Sequence, residues 1–130
     1  MRKTVFFITL VINKMLIRGV INMTTLVLKK EKLEKLVEKY YKEVNDFIGK
    51  ATVLSQVDED NWYQPLVKIN GYIEMAGSKL GIERAVGEGT LKEIIRCYYD
   101  EVENITFNLN EGVLDNVTIQ IKGKVKKKWK

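Results

Sequence analysis

Val117-Thr-Ile-Gln-Ile-Lys-Gly-Lys-Val-Lys-Lys-Lys-Trp-Lys130 alternates with a period of two. Val117, Ile119, Ile121, Gly123, Val125 and Trp129 fall on one face, and Thr118, Gln120, Lys122, Lys124, Lys126, Lys128 and Lys130 on the other. That is the pattern of a strand with one buried side. Just upstream, Ile105, Phe107 and Leu109 alternate with Thr106 and Asn108, and Asn110-Glu-Gly112 and Asp115-Asn116 supply turn residues. Two such runs joined by a tight turn predict an antiparallel hairpin.

Before the hairpin, Leu91, Ile94, Ile95, Tyr98 and Val102 trace one helical face to about Glu103. Thr90-Leu-Lys-Glu93 has the capping-box pattern, in which the threonine oxygen accepts from the backbone at Glu93. Cys97 falls among these apolar residues and is expected to be a buried, unreactive packing residue.

A second hairpin is expected further upstream. Val67, Ile69, Ile73 and Met75 alternate with Lys68, Asn70, Tyr72 and Glu74, and Ala76-Gly77-Ser78 leads into Lys79 to Val86. Gly71 occupies an inward slot, which implies a bulge or a close approach by a neighbour. A helix over 72–86 is weakened by Gly77 and Gly81. Ala51 to Val57 reads as a short strand ended by the acidic turn Asp58-Glu-Asp-Asn61, which lacks the glycine and distal glutamate of a calcium loop.

Leu33, Leu36, Val37, Tyr40, Val44, Phe47 and Ile48 recur at helical spacing from Leu28 to Ile48. Glu31–Lys35 and Glu38–Lys42 are spaced for helix-surface ion pairs, and Gly49 is placed as the C-terminal cap. The expected architecture is therefore α+β: a two-layer domain over 23–130, with a mainly antiparallel sheet of about five strands. Two amphipathic helices should cover one face of that sheet.

Residues 1–22 read differently. Arg2 and Lys3 precede an apolar run, but Asn13-Lys14 interrupts it and no small-residue cleavage site follows. An extra strand is a second reading. A third comes from the genetic code, because Arg18-Gly-Val-Ile-Asn-Met23 can be encoded by a purine-rich ribosome-binding site followed by a start codon. On that reading translation begins at Met23 and residues 1–22 are a non-native extension.

Charge divides by region. The 130 residues carry a formal +5, with 22 basic and 17 acidic side chains. Residues 1–22 hold four basic residues and no acid, and residues 122–130 hold six lysines and no acid. The stretch between them is acidic, so any polyanion must be bound at the ends.

The chain has no histidine and one cysteine, which removes histidine-based triads and metal sites and any intramolecular disulfide. No carboxylate pair or lysine stands in a context that marks it as catalytic, and no cofactor is expected.

Two sets of candidate site residues remain. Lys122, Lys124, Lys126, Lys128 and Lys130 would form a ladder with steps of about 6.6 Å, matched to successive phosphates, with Trp129 placed to stack on a base. The competing reading makes them protection for an exposed sheet edge or a solvated tail. Arg84, Gly87, Gly89, Thr90 and Lys92 surround a glycine loop that opens a helix, where free N–H groups attract anions. The competing reading is an ordinary strand-to-helix turn.

Trp62, Tyr63, Tyr72 and the doublets Tyr40-Tyr41 and Tyr98-Tyr99 offer an aromatic surface, with Tyr41 and Tyr99 expected at the margins of their helices. The leading functional reading is a small cytoplasmic, non-catalytic binding protein that contacts nucleic acid through its lysine end. The alternatives are a protein-interaction module or inhibitor, of the phage or plasmid accessory type, that engages a protein partner or its own copies, and an anion or nucleotide binder at the glycine loop. No membrane association is expected.

Overall fold

A computed structural model describes residues 23–54 and 64–124. The readings of residues 1–22, of Asp58 to Tyr63 and of Val125 to Lys130 lie outside the described residues. The element order is β1 (Met23–Lys29), α1 (Lys30–Asn45), β2 (Ile48–Val53), β3 (Val67–Met75), β4 (Ser78–Val86), α2 (Glu88–Tyr98), β5 (Val102–Asn110) and β6 (Val113–Lys122). The α+β class stands, but one sheet of five strands does not. The described strands form two antiparallel three-stranded sheets, ordered β1-β6-β5 and β2-β3-β4.

The division follows from α1. Each hairpin recruits one further strand from an end of that helix: β1, which precedes it, pairs with β6, and β2, which follows it, pairs with β3. The helix expected from Leu28 starts two residues later, at Lys30. In the structure Leu28 is the last inward residue of β1 and pairs with Val117. Helix α1 touches β2 and β3 on one side, β1 and β6 on the other, and α2. Its buried Leu33, Leu36, Val37 and Tyr41 join Ile119, Ile121, Val67, Ile69, Leu91, Ile94 and Ile95 in one hydrophobic core.

Helix α1 ends earlier than predicted, and not at a glycine. Asp46 adopts the left-handed region (φ 56), with its N–H and that of Phe47 bonded back to the carbonyls of Lys42 and Tyr41. Gly49 has another task. It lies in β2 directly opposite Gly71 of β3, and the Phe47 ring rests on both. A methyl group built on Gly49 or on Gly71 would come within 2.6 Å or 2.8 Å of Phe47 Cζ and closer still to backbone atoms of the facing strand. The inward glycine is thus a close approach, and the β2–β3 register passes it without a bulge.

Both hairpins close with two-residue turns of positive φ: Ala76-Gly77 (50 and 82) and Glu111-Gly112 (53 and 82). Turns of this hand match the natural strand twist. The helical reading of 72–86 is overturned by the unbroken β3–β4 ladder. Asp115 and Asn116 lie inside β6, beside a register shift, and make no turn.

Helix α2 begins before the capping box. Its cap is Gly87, without a side-chain hydrogen bond, and the Leu91 N–H bonds to the Gly87 carbonyl at 3.0 Å. Thr90 is therefore a helical residue, not the cap, and the helix stops at Tyr98, short of the predicted Glu103. Cys97 is exposed, contrary to expectation. At about 100° per residue it sits roughly 110° from the centre of the stripe that Leu91, Ile94, Ile95 and Tyr98 bury.

Candidate functional site

The lysine end begins on a central strand. β6 is hydrogen-bonded on both sides, by β1 and β5, so Lys122, its one lysine, does not stand on a sheet edge. The strand closes at Lys122. Gly123 (φ 79) and Lys124 form a bend, with the Thr24 hydroxyl donating to the Gly123 carbonyl. The alternation that begins at Val117 is thus interrupted at Gly123. Lys122 is exposed, Lys124 is exposed beyond the bend, and Lys126, Lys128, Trp129 and Lys130 lie outside the described residues.

The outward face of this sheet is mostly polar, with Val27 and Lys29 among threonines, asparagines and a glutamine. Thr25, Gln120 and Asn104 stand in one cross-strand row, Val27, Thr118 and Thr106 in the next, and Lys29, Asn116 and Asn108 in a third. Asn108 Nδ2 donates to Asn116 Oδ1 at 2.7 Å and to Thr118 Oγ1 at 2.9 Å. Asn104 Nδ2 reaches Thr106 Oγ1 at 3.3 Å. These side chains bond one another along and across the strands. No carboxylate occupies a paired outward position of these rows.

The residues proposed for the glycine loop have separate occupations. Lys92 pairs with Glu88 at 3.1 Å, one turn apart on α2. The Glu88 carboxylate thus lies in the first turn, where the helix dipole favours negative charge. The Arg84 guanidinium lies 5.6 Å from the centre of the Tyr41 ring, on the inward face opposite Ile69. Gly87 and Gly89 border open space, and Thr90 is exposed. Among the described residues, no side-chain hydrogen bond or ion pair joins these five residues to one another.

Tyr41, Tyr98 and Tyr99 are core, whereas Tyr40 and Tyr72 are half-buried. Tyr41 and Tyr99 are 6% and 4% exposed, so neither is marginal. Tyr41 is enclosed by Tyr40, Phe47 and Arg84, and burial raises its hydroxyl pKa against the opposing Arg84 charge. Tyr99 lies past the helix in an extended conformation, where helical spacing no longer decides its direction. The Tyr98 hydroxyl donates to Glu43 Oε1 at 2.6 Å, tying α2 to α1. Burial and that bond hold Tyr98 far above the ordinary tyrosine pKa, while the same bond lowers Glu43.

The β3–β4 hairpin carries what the sequence reading passed over. Register places Val67, Ile69, Gly71, Ile73 and Met75 of β3 on one face, with Val86, Arg84, Ile82, Leu80 and Ser78 of β4 opposite them. The core ends of these rows are buried, and Ile73 and Ile82 pack against the core's edge. Met75 and Leu80, diagonal neighbours across the ladder, are 59% and 53% exposed. The alternation was visible in the sequence; the reach of the cover was not. Nine-residue strands extend about 30 Å, and the chain turns from α1 into β2 at Phe47, where this cover stops.

The other face of this sheet holds an open depression lined by Lys50, Thr52, Val53, Leu54, Lys68 and Asn70. Lys68 pairs there with Glu83 at 2.6 Å. Among the described residues no group of three or more His, Cys, Asp or Glu side chains is placed to hold a metal, and no helix is long and apolar enough to cross a membrane. No family model, curated protein or solved structure matches the chain.

Proposed function

We propose that the chain is a non-catalytic binding protein of the cytoplasm that engages another protein surface through the inner face of the β3–β4 hairpin. The carrying observation is that Met75 and Leu80 continue, in the open, the rows that bury Val67, Ile69 and Val86. Single apolar residues on a surface need no explanation, but adjacent ones that prolong a core row provide a surface for contact. The hairpin presents them on a regular ladder, so little ordering is needed on binding. The test is copurification from host cells of the wild type and of a Met75→Ser, Leu80→Ser double variant, each with and without nuclease. The expected result is a protein companion that nuclease leaves in place and the double variant loses.

A second reading keeps nucleic acid as the partner. It is supported by six lysines without an acid in residues 122–130, beginning beside a sheet face whose paired outward positions hold no carboxylate. Nuclease-sensitive copurification, unchanged by the hairpin variant, would favour it. The anion reading of Arg84, Gly87, Gly89, Thr90 and Lys92 has less support, because Lys92 and Arg84 face Glu88 and Tyr41.

A further inference from the structure

The two edges of the β2-β3-β4 sheet are treated differently. On β2, the N–H groups of Ala51 and Val53 point away from β3 and donate to Glu38 Oε2 at 2.9 Å and Glu34 Oε2 at 2.7 Å. Those carboxylates, one helical turn apart on α1, close that edge. On β4 the edge-facing groups follow from the turn. A two-residue hairpin makes Met75–Ser78 a hydrogen-bonded pair, and pairs then alternate, so Lys79, Gly81, Glu83 and Ala85 turn their backbone groups outward. The bonds of β2 give the same phase. If Ala51 and Val53 face away from β3, then Lys50 pairs with Asn70, which leaves the Asn70–Glu83 pair unbonded. Among the described residues, no hydrogen bond closes the β4 edge.

We propose that the occupant of this edge is β4 of a second copy of the chain, paired antiparallel about a two-fold axis at Gly81. This deepens the protein-interaction reading and rests on it. The register is selected by charge. With Gly81 opposite Gly81 of the second copy, Lys79 faces Glu83 of that copy and Glu83 faces its Lys79. All of these residues belong to the outward-bonding set. Centring on Glu83 would set two carboxylates against each other, and centring on Lys79 would do the same for two ammonium groups. Centring on Ile82 leaves both charges facing neutral residues.

The chosen register also sets Leu80 against Ile82 of the other copy, joining both exposed rows into one apolar surface beside Met75. Gly81 borders open space and places no side chain at the two-fold axis. Lys79 and Glu83 keep their present contacts with Tyr72 and Lys68 on the exposed face while reaching across. The result is a continuous six-stranded sheet with isologous contacts, as two-fold pairing requires.

The experiment is sedimentation equilibrium of the purified chain over a concentration series, with Lys79→Glu, Glu83→Lys and the double exchange. The wild type should dimerise, each single charge reversal should weaken the dimer about tenfold or more, and the double exchange should recover it. Circular dichroism checks that each variant stays folded. A wild type that stays monomeric, or a dimer indifferent to both single reversals, would overturn the pairing. A monomer that still copurifies with a companion dependent on Met75 and Leu80 would leave the hairpin reading standing and remove only the second copy.

Discussion

The Glu38 carboxylate accepts the backbone N–H of Ala51 at 2.9 Å, across 13 residues of sequence. Glu34 does the same for Val53 one turn earlier. Four helical residues rise about 6 Å and two strand residues about 6.8 Å, so the two periods nearly match and one helix face can close a strand edge. Periodicity marks Glu38 only as a polar position spaced to pair with Lys42; neither that pair nor Glu31–Lys35 forms among the described residues.

Glu38→Ala should leave a strand N–H without its charged acceptor and cost about 1–2 kcal/mol, since the site is only partly buried. Glu38→Gln keeps an oxygen at the same place and should cost less. Urea denaturation of the two variants measures the difference; equal midpoints would mean that the bond contributes nothing.

Gly71→Ala should be among the most damaging single changes in the chain. The added methyl meets Gly49 Cα at 2.6 Å and Phe47 Cζ at 2.8 Å, and backbone cannot yield as a side-chain tip can. Overpacking of this kind costs about 3 kcal/mol. Gly81→Ala in the neighbouring strand, where nothing lies within 4 Å, should be nearly neutral by the same denaturation measurement.

Tyr98→Phe removes the bond to Glu43, and its effect should depend on pH. Glu43 has a lowered pKa in the folded state, so its contribution is present above the ordinary carboxyl pKa and is lost as pH falls through the folded value. Tyr98 has a raised one, so its contribution is full below pH 10 and fades as pH rises beyond that. The stability gap between wild type and variant should therefore be widest near neutrality and shrink at both extremes. A gap constant with pH would remove the Glu43 bond as its cause.

Thr90→Ala should change stability by only a few tenths of a kcal/mol, because Thr90 lies within α2 and makes no cap. Cys97, exposed on the same helix, should react with a thiol reagent in the folded protein at a rate that denaturant raises only modestly. Slow labelling of the native chain would place the cysteine inside.

Alternation and turn chemistry locate both hairpins, because β3 through β6 keep an inward row and each turn holds a glycine at positive φ, though β6 starts at Val113 and not at Val117. They failed where an element's role depends on a distant partner. β1 holds the unbroken apolar run Leu26-Val-Leu28, and its alternating burial appears only once it is paired with β6. Gly49 resembles a cap until Gly71 and Phe47 are beside it. The exposed apolar pair was hidden for the same reason. Met75 and Leu80 keep the inward phase of their strands, and only the structure shows each of them more than half exposed.

If the β3–β4 hairpin is the contact surface, amide hydrogen exchange will report it residue by residue. The free chain at low concentration should show rapid exchange at Lys79, Gly81 and Glu83, whereas Ala51 and Val53, held by Glu38 and Glu34, exchange slowly. In the concentrated chain or in a complex recovered from host cells, protection should rise at Lys79, Gly81 and Glu83. Protection that instead appears around Lys122 and Lys124, with the hairpin unchanged, would contradict the claim and return the lysine end to the lead.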